Sequence, residues 1–169
     1  MIADRVWAIR AAAREDIDDM IAVFRASVHE LARRDYTAAQ VDAWAPETID
    51  RAAWLRRSER HLIWVATEAT RTLGGFIELA DDGCVDMLYV HPAFARQGIA
   101  TALLTGAEEA AQAHGLTCLF TAASLTARPF FERHGFQVSA AQTVHLRGLP
   151  VRNFRMTKPI VSRNKIACR

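Results

Sequence analysis

Residues 85–108, VDMLYVHPAFARQGIATALLTGAE, contain the pattern that decides the fold. The stretch starts with a short apolar run that ends at Val90, and Pro92 stops the run because proline cannot donate to a sheet ladder. From Gly98 onward the apolar residues recur at helical spacing, and Gly115 follows as a stop signal. The pattern therefore predicts a buried strand, a short loop and a helix.

The start of this helix is suited to binding a phosphate group. Gly98 and Ala100 carry little or no side chain, so a ligand can approach the backbone closely. The first N–H groups of a helix have no internal partner and lie at the positive end of its dipole. Arg96 adds a cation. The alternative is a plain turn at Gly98, and neither common nucleotide fingerprint, GxxxxGK(S/T) or GxGxxG, is present.

The flanking segments predict an alternation of helices and strands. Apolar residues at helical spacing predict a helix from Ile17 to Leu31, and further helical stretches start at Thr37 and Thr48. Segments typical of strands are residues 5–12, 61–69, 72–80, 84–90, 116–123 and two closing strands within 136–157. A strand on each side of the central helix predicts a parallel pair.

Composition limits the class of protein. A chain of 169 residues with 51% hydrophobic and 24% charged residues predicts one soluble domain, residues 1–158, followed by a polar tail, residues 159–169. A net charge of +2 does not favour a nucleic-acid partner. No uncharged apolar run reaches the roughly 18 residues of a membrane span, and the N-terminus lacks the core of a signal peptide. Three cysteines without a CxxC pair favour a reducing compartment, so the expected location is the cytoplasm.

Two motifs carry a resemblance to a known family. Residues 88–104, LYVHPAFARQGIATALL, resemble the acyl-CoA loop of the GNAT superfamily of N-acetyltransferases. Residues 124–136, SLTARPFFERHGF, are similar to the family's helix pattern N-x-x-A-x-x-x-Y-x-x-x-G-F. The order of elements from about residue 5 to 158 also matches. The resemblance implies an α/β (α+β) fold with a mixed, mostly antiparallel sheet of six to seven strands, flanked by helices and splayed between strands 4 and 5.

The resemblance also implies acetyl-CoA as cosubstrate and a set of residues that hold it. Leu88, Tyr89 and Val90 would pair with the pantetheine arm, and one of their N–H groups would donate to the acetyl carbonyl oxygen. Ser124 would hydrogen-bond the arm, which other side chains would flank. These flanking residues are Ala127, Phe130 and Phe131. The pyrophosphate would be held by the N–H groups of Arg96, Gln97, Gly98, Ile99, Ala100 and Thr101.

This sequence departs from the family pattern at two positions. Ala95 replaces the first polar residue of the loop. Phe131 stands where many members have the tyrosine that protonates the leaving thiolate, and phenylalanine cannot donate a proton. A tyrosine acid could only be Tyr36 or Tyr89, although water can suffice because a thiolate of pKa about 8–9 is a good leaving group.

The expected reaction is acetyl transfer to a primary amine of a small molecule or peptide, by direct attack in a ternary complex. The amine must lose a proton, and Asp86 is the first candidate base because it is the one charge on the central strand, expected on the same face as Leu88. The alternative is that Asp86 pairs with an arginine. Glu78 is the second candidate, and its alternative is a solvated strand edge.

Several further readings remain open. Cys84 and Cys118 have no adjacent histidine, which argues against a covalent acetyl-enzyme. The six histidines show no ligand spacing, so no metal site is expected. A CoA-binding module without turnover and a plain nucleotide-binding protein are the alternatives from other classes. A homodimer is also left open.

Overall fold

The computed structural model describes residues 6–160, which form seven strands and five α-helices. The strands are β1 (Ala8–Ala11), β2 (Leu62–Thr67), β3 (Leu73–Leu79), β4 (Val85–Val90), β5 (Cys118–Ser124), β6 (Gln137–Leu146) and β7 (Leu149–Pro159). The helices are α1 (Ile17–Glu30), α2 (Ala38–Trp44), α3 (Arg51–Ser58), α4 (Ile99–Ala113) and α5 (Arg128–Arg133).

The strands form two sheets that meet at one point. One sheet has the order β1-β2-β3-β4 and the other β5-β7-β6, with antiparallel neighbours throughout. β4 and β5 are connected by a single parallel bridge, between Cys84 and Phe120, and by the Thr121 hydroxyl, which donates to the Val85 carbonyl at 2.8 Å. This confirms the predicted fold class with seven strands and a splay between strands 4 and 5. The predicted parallel pair is limited to that one bridge.

Helices cover both faces of the first sheet. α4 packs on one face, where Leu103, Ala107 and Ala111 are completely buried. The small alanine side chains allow the helix to lie close to the strands. α1 and α3 cover the other face with a second core that includes Met20 and Trp54, and α2 packs between α1 and the β6–β7 hairpin.

Helix caps explain where two of the helices begin. Thr37 precedes α2, as predicted, and its hydroxyl accepts a hydrogen bond from the Gln40 N–H at 3.2 Å. The Gln40 side-chain oxygen in turn accepts a hydrogen bond from the Thr37 N–H. α3 begins after Asp50 rather than at Thr48, because the Asp50 carboxylate accepts from the Ala53 N–H at 3.1 Å.

The boundaries at the two ends of the chain also differ from the expectation. The first strand starts at Ala8, and the N–H of Ile160, after β7, donates to the Thr117 carbonyl at 2.8 Å. The rest of the expected polar tail, residues 161–169, lies outside the described residues, as do residues 1–5. Within residues 6–160 no helix has the length and apolar character needed to cross a bilayer.

Candidate active site

β4 presents an unpaired edge to the space between the two sheets. The N–H of His91 donates to the carbonyl of Gly74 in β3 at 2.8 Å. Successive N–H groups of a strand point to opposite edges, so Tyr89 also directs its N–H toward β3, whereas Leu88 and Val90 direct theirs away from it. Within the described residues β5 does not pair with this part of β4. The main-chain groups of Leu88 and Val90 are therefore open to an extended ligand.

The start of α4 lies at one end of this space. Arg96 and Gly98 have positive φ angles of 64° and 79°, and the first hydrogen bond of the helix runs from the Ala102 N–H to the Gly98 carbonyl at 3.0 Å. The preceding N–H groups are free of helical partners. A side chain built on Gly98 would meet no atom within 4 Å, so this position faces open space.

A cavity of about 640 Å³ opens over these N–H groups, and we call it the α4 cavity. Its lining residues come from β4, the loop, α4 and α5, and they are Val90, Ala95, Arg96, Gly98, Ile99, Ala100, Thr101, Phe130, Arg133 and His134. Gln97 does not line it. The Gln97 side chain instead accepts a hydrogen bond from the Trp7 indole at 3.4 Å, which supports the loop from outside.

Arg133 and His134 were not anticipated from the sequence, although their spacing from Phe130 places all three on one face of α5. His134 Nδ1 donates to the Phe130 carbonyl at 2.8 Å, so its Nε2 accepts from the Thr101 hydroxyl at 3.1 Å. The two rings also pack together, with centroids 4.2 Å apart. These contacts fix α5 against the first turn of α4.

A second cavity of about 200 Å³ continues from the first, and we call it the chamber. The two cavities share Val90, Ala100 and Phe130. The other chamber residues are mostly apolar: Ser27, Val28, Leu31, Ala32, Trp44, Leu88, Tyr89, Ser124, Thr126, Ala127 and Phe131. Ser124 accepts from the Ala127 N–H at 3.0 Å, which leaves its hydroxyl proton available to a ligand. Together the cavities form one cleft from the helix start to the splay point.

Tyr89 is the one chamber residue with a titratable side chain. Burial raises the pKa of its phenol, although a hydrogen bond that the phenol oxygen accepts from the Trp44 indole opposes the shift, so the phenol keeps its proton at neutral pH. Phe131 is 3% exposed and packs against Phe136, and it offers no polar atom. The hydroxyl of Tyr36, the other tyrosine, is occupied: it donates to the Arg152 carbonyl at 2.7 Å.

The two candidate carboxylates lie outside both cavities and share one arginine. Arg57 of α3 donates to Glu78 at 2.6 Å and also contacts Asp86. Asp86 therefore does pair with an arginine, while 46% of its side chain stays exposed. Glu78 is buried, with 2% of its side chain exposed, and it also contacts His61. The alternative of a solvated strand edge for Glu78 is therefore wrong.

A bulge explains why Asp86 lies beside Glu78. In the β3–β4 ladder Glu78 is opposite Met87 and Leu79 is opposite Val85, so Asp86 has no partner in register. The expectation that Asp86 shares a face with Leu88 used strict alternation, which a bulge interrupts. Asp86 contacts Arg57 on the α3 side, whereas Leu88 packs against the core that contains α4.

Cys84 does not offer a nucleophilic thiolate. Burial and the nearby charge of Asp86 raise the pKa of Cys84 to about 12. Among residues 6–160 there is also no group of three or more His, Cys, Asp or Glu residues that could hold a metal ion.

A splayed α/β sheet whose cleft joins a free helix start to a free strand edge defines a class of proteins that bind an extended, phosphate-bearing ligand. Residues 32–158 match the family model of the GNAT acetyltransferase domain. The chain is 36% identical over 141 residues to the uncharacterized N-acetyltransferase YafP of Escherichia coli K12, which covers 83% of this chain and 88% of that protein. The chain belongs to the GNAT acetyltransferase family and is an N-acetyltransferase, with acetyl-CoA as its cosubstrate.

Solved structures agree with this assignment. A GCN5-related N-acetyltransferase from Rhodopseudomonas palustris superposes with a TM-score of 0.86 and 33% identity, covering 91% of this chain and 96% of that one. The PaiA N-acetyltransferase from Thermoplasma acidophilum, in complex with coenzyme A, has a TM-score of 0.76 and 24% identity over 91% of this chain and 99% of its own. The second match supports the fold alone.

Proposed function

We propose that this N-acetyltransferase transfers the acetyl group of acetyl-CoA to a primary amine of a small molecule or peptide, by direct attack in a ternary complex. The observation that carries the proposal is the continuous cleft, which has free helix N–H groups at one end and an apolar chamber at the other. The raised pKa of Cys84 supports direct attack, because a thiol in that state is a poor nucleophile.

The proposed donor site follows the cleft. The N–H groups at the start of α4 hold the pyrophosphate, and Arg96 and Arg133 add positive charge at that end. The pantetheine arm lies along the free edge of β4, with the Ser124 hydroxyl as a donor to one of its amides. Leu88 lines only the chamber, whereas Val90 lines both cavities. We therefore assign the oxyanion donor to the Leu88 N–H, at the acyl end.

Asp86 is proposed to take the proton of the acceptor ammonium, directly or through a water. Its half-exposed carboxylate remains accessible, whereas Glu78 is buried and already bonded on both oxygens. Asp86 also lies close enough to the chamber for its charge to raise the pKa of Tyr89. Tyr89 is proposed to donate its phenolic hydrogen to the leaving thiolate, in place of the tyrosine that Phe131 replaces.

The test is turnover with a panel of amines that differ in charge and size: 2-phenylethylamine, spermidine, L-lysine and the tripeptide Ala-Ala-Ala. Free CoA release is measured with and without each amine, and the acetylated product is identified by mass spectrometry. We expect amine-dependent release with an equal amount of acetylated amine. Tight acetyl-CoA binding with no release above the hydrolysis rate across a wide panel would instead favour a CoA-binding module without turnover.

The cytoplasm is the location that we propose, because a reaction that consumes acetyl-CoA needs access to the intracellular pool of that thioester. Fractionation of cells that express a tagged copy of the full chain checks this. Recovery in the soluble intracellular fraction is expected.

A further inference from the structure

Arg57 joins two carboxylates that lie on different strands. Its Nη2 donates to Glu78 Oε1 at 2.6 Å and contacts Asp86 Oδ2, while its Nε donates to Glu78 Oε2 at 3.2 Å. His61 Nδ1 also contacts Glu78. We call Arg57, His61, Glu78 and Asp86 the Arg57 cluster. It connects the C-terminal end of α3 to β3 and to the bulge of β4.

The two carboxylates in the cluster differ in exposure. Glu78 has 2% of its side chain exposed and Asp86 46%. A carboxylate as buried as Glu78 is tolerated only with partners, and Arg57 and His61 supply them. Two nitrogens of the Arg57 guanidinium donate to the two Glu78 oxygens, and this bidentate pairing fixes the plane of the guanidinium. Its remaining contact, to Asp86, is thereby also fixed in direction.

Stability alone is a weak explanation for the cluster. A buried ion pair is often matched or exceeded in stability by apolar residues of similar volume. Asp86, in contrast, stands on a bulge, where the ladder does not constrain its side chain. A base that must meet an amine in one orientation needs such a constraint.

We propose that Arg57, anchored by Glu78 and His61, is a positioning residue that holds the Asp86 carboxylate toward the acceptor amine. This inference rests on the proposed function, in which Asp86 takes the amine proton. Glu78 then acts through Arg57 and does not itself exchange a proton with the substrate.

Other groups also face Asp86 and contribute to its electrostatic environment. They come from α3, from β3, and from β4 with the residue that precedes it: Arg57, Glu78, Cys84 and Tyr89. Arg57 is the cation in direct contact with Asp86.

The test replaces the buried pair with apolar side chains in the double variant Arg57→Met/Glu78→Met, which avoids an unpaired buried charge. With the best amine of the panel, we expect kcat at pH 7 to fall about tenfold or more, while the KM for acetyl-CoA changes less than about threefold.

Two single variants serve as comparisons. Arg57→Lys keeps the charge but not the fork, so kcat should recover only in part. Arg51 lies on the same helix as Arg57 and forms an exposed ion pair with Asp18 of α1, so Arg51→Met should leave kcat unchanged.

A folded double variant with wild-type kcat would overturn the positioning role. If the double variant does not fold, Arg57→Lys decides: wild-type kcat in that variant contradicts the need for the fork. Asp86→Asn separates the two levels of the proposal. Wild-type kcat in Asp86→Asn would contradict the assignment of Asp86 as the base. A loss of kcat in Asp86→Asn, with no loss of kcat in the Arg57 variants, would contradict only the positioning role of Arg57.

Discussion

The Tyr36 hydroxyl accepts a hydrogen bond from the Leu125 N–H at 2.8 Å, which ties the connection between α1 and α2 to the end of β5. The same hydroxyl donates to the Arg152 carbonyl in β7. One side chain thus links the helical wall of the chamber to the second sheet. Tyr36 is buried, so both bonds are shielded from water.

Tyr36→Phe is therefore expected to destabilise the fold. The substitution leaves a donor and an acceptor without a protein partner, and such a loss costs about 1–3 kcal/mol of unfolding free energy. Urea denaturation followed by fluorescence measures the change. At a temperature where the variant is folded, kcat should stay within about threefold of wild type. An unchanged unfolding free energy would show that water replaces both bonds.

Tyr89→Phe, in contrast, is expected to lower kcat. The phenol lines the chamber and keeps its proton because burial raises its pKa, so its loss removes a donor to the leaving thiolate. We expect kcat to fall about tenfold or more, while the dissociation constant for acetyl-CoA changes little. Steady-state kinetics with calorimetry measures both values. Wild-type kcat in Tyr89→Phe would assign the protonation of the thiolate to water.

Gly98→Asp is expected to weaken acetyl-CoA binding at least tenfold, about 1.4 kcal/mol, because it places a carboxylate where the pyrophosphate approaches the backbone. Gly115→Asp is the matched control. Gly115 also has a positive φ, 73°, and also faces open space, but it follows the other end of α4. Calorimetry measures the acetyl-CoA affinity of both variants and so separates the effect of backbone strain from that of the added charge. Equal affinities in the two folded variants would contradict the assigned cofactor loop.

Asp86→Asn is expected to lower kcat by about 10²–10⁴ at pH 7 while acetyl-CoA affinity stays within a few-fold. The amide keeps the size of the side chain but cannot accept the proton. Activity should partly return at high pH, where the amine is deprotonated in solution. The pH–rate profile is measured beside Glu78→Gln. A selective loss in Glu78→Gln would transfer the role of base to Glu78.

Asp16 makes stability depend on pH at the acid end. The hydrogen bonds of Arg10, at 2.7 and 2.8 Å, hold the pKa of this buried carboxyl below its usual value. The pKa is lower in the folded than in the unfolded chain. The contribution is therefore present above about pH 4 and is lost as the pH falls through the folded value. Asp16→Asn should lower the melting temperature at pH 7 and converge with wild type in acid. A constant difference down to pH 2 would contradict this.

The sequence allowed most of the fold and the strand, loop and helix start around Gly98 to be predicted. The reason is local: the apolar run before Pro92 and the small residues at Gly98 and Ala100 determine strand, loop and helix start without reference to the rest of the chain. Thr37 likewise marks the start of α2 through a cap that spans four residues.

The surroundings of Asp86 and Glu78 could not be predicted because they depend on contacts between distant segments. The bulge at Asp86 interrupts the alternation on which the assignment of its face relied, and no sequence pattern marks it. Glu78 on β3 pairs with Arg57 of α3 and with His61, which are distant from it in sequence. The burial of the Glu78 carboxylate was therefore not evident from the sequence.

The single junction between the two sheets has a geometric consequence. Gly83 lies there with a φ of 93°, and a Cβ at this position would come within 2.5 Å of the Cys118 carbonyl oxygen, so a larger residue would push the sheets apart. The cleft widens from this vertex, and a small rotation displaces each point in proportion to its distance. Leu88 lies near the vertex and Gly98 far from it. The cleft at Leu88 therefore keeps the most constant width, and changes in the angle between the sheets have their largest effect at the start of α4.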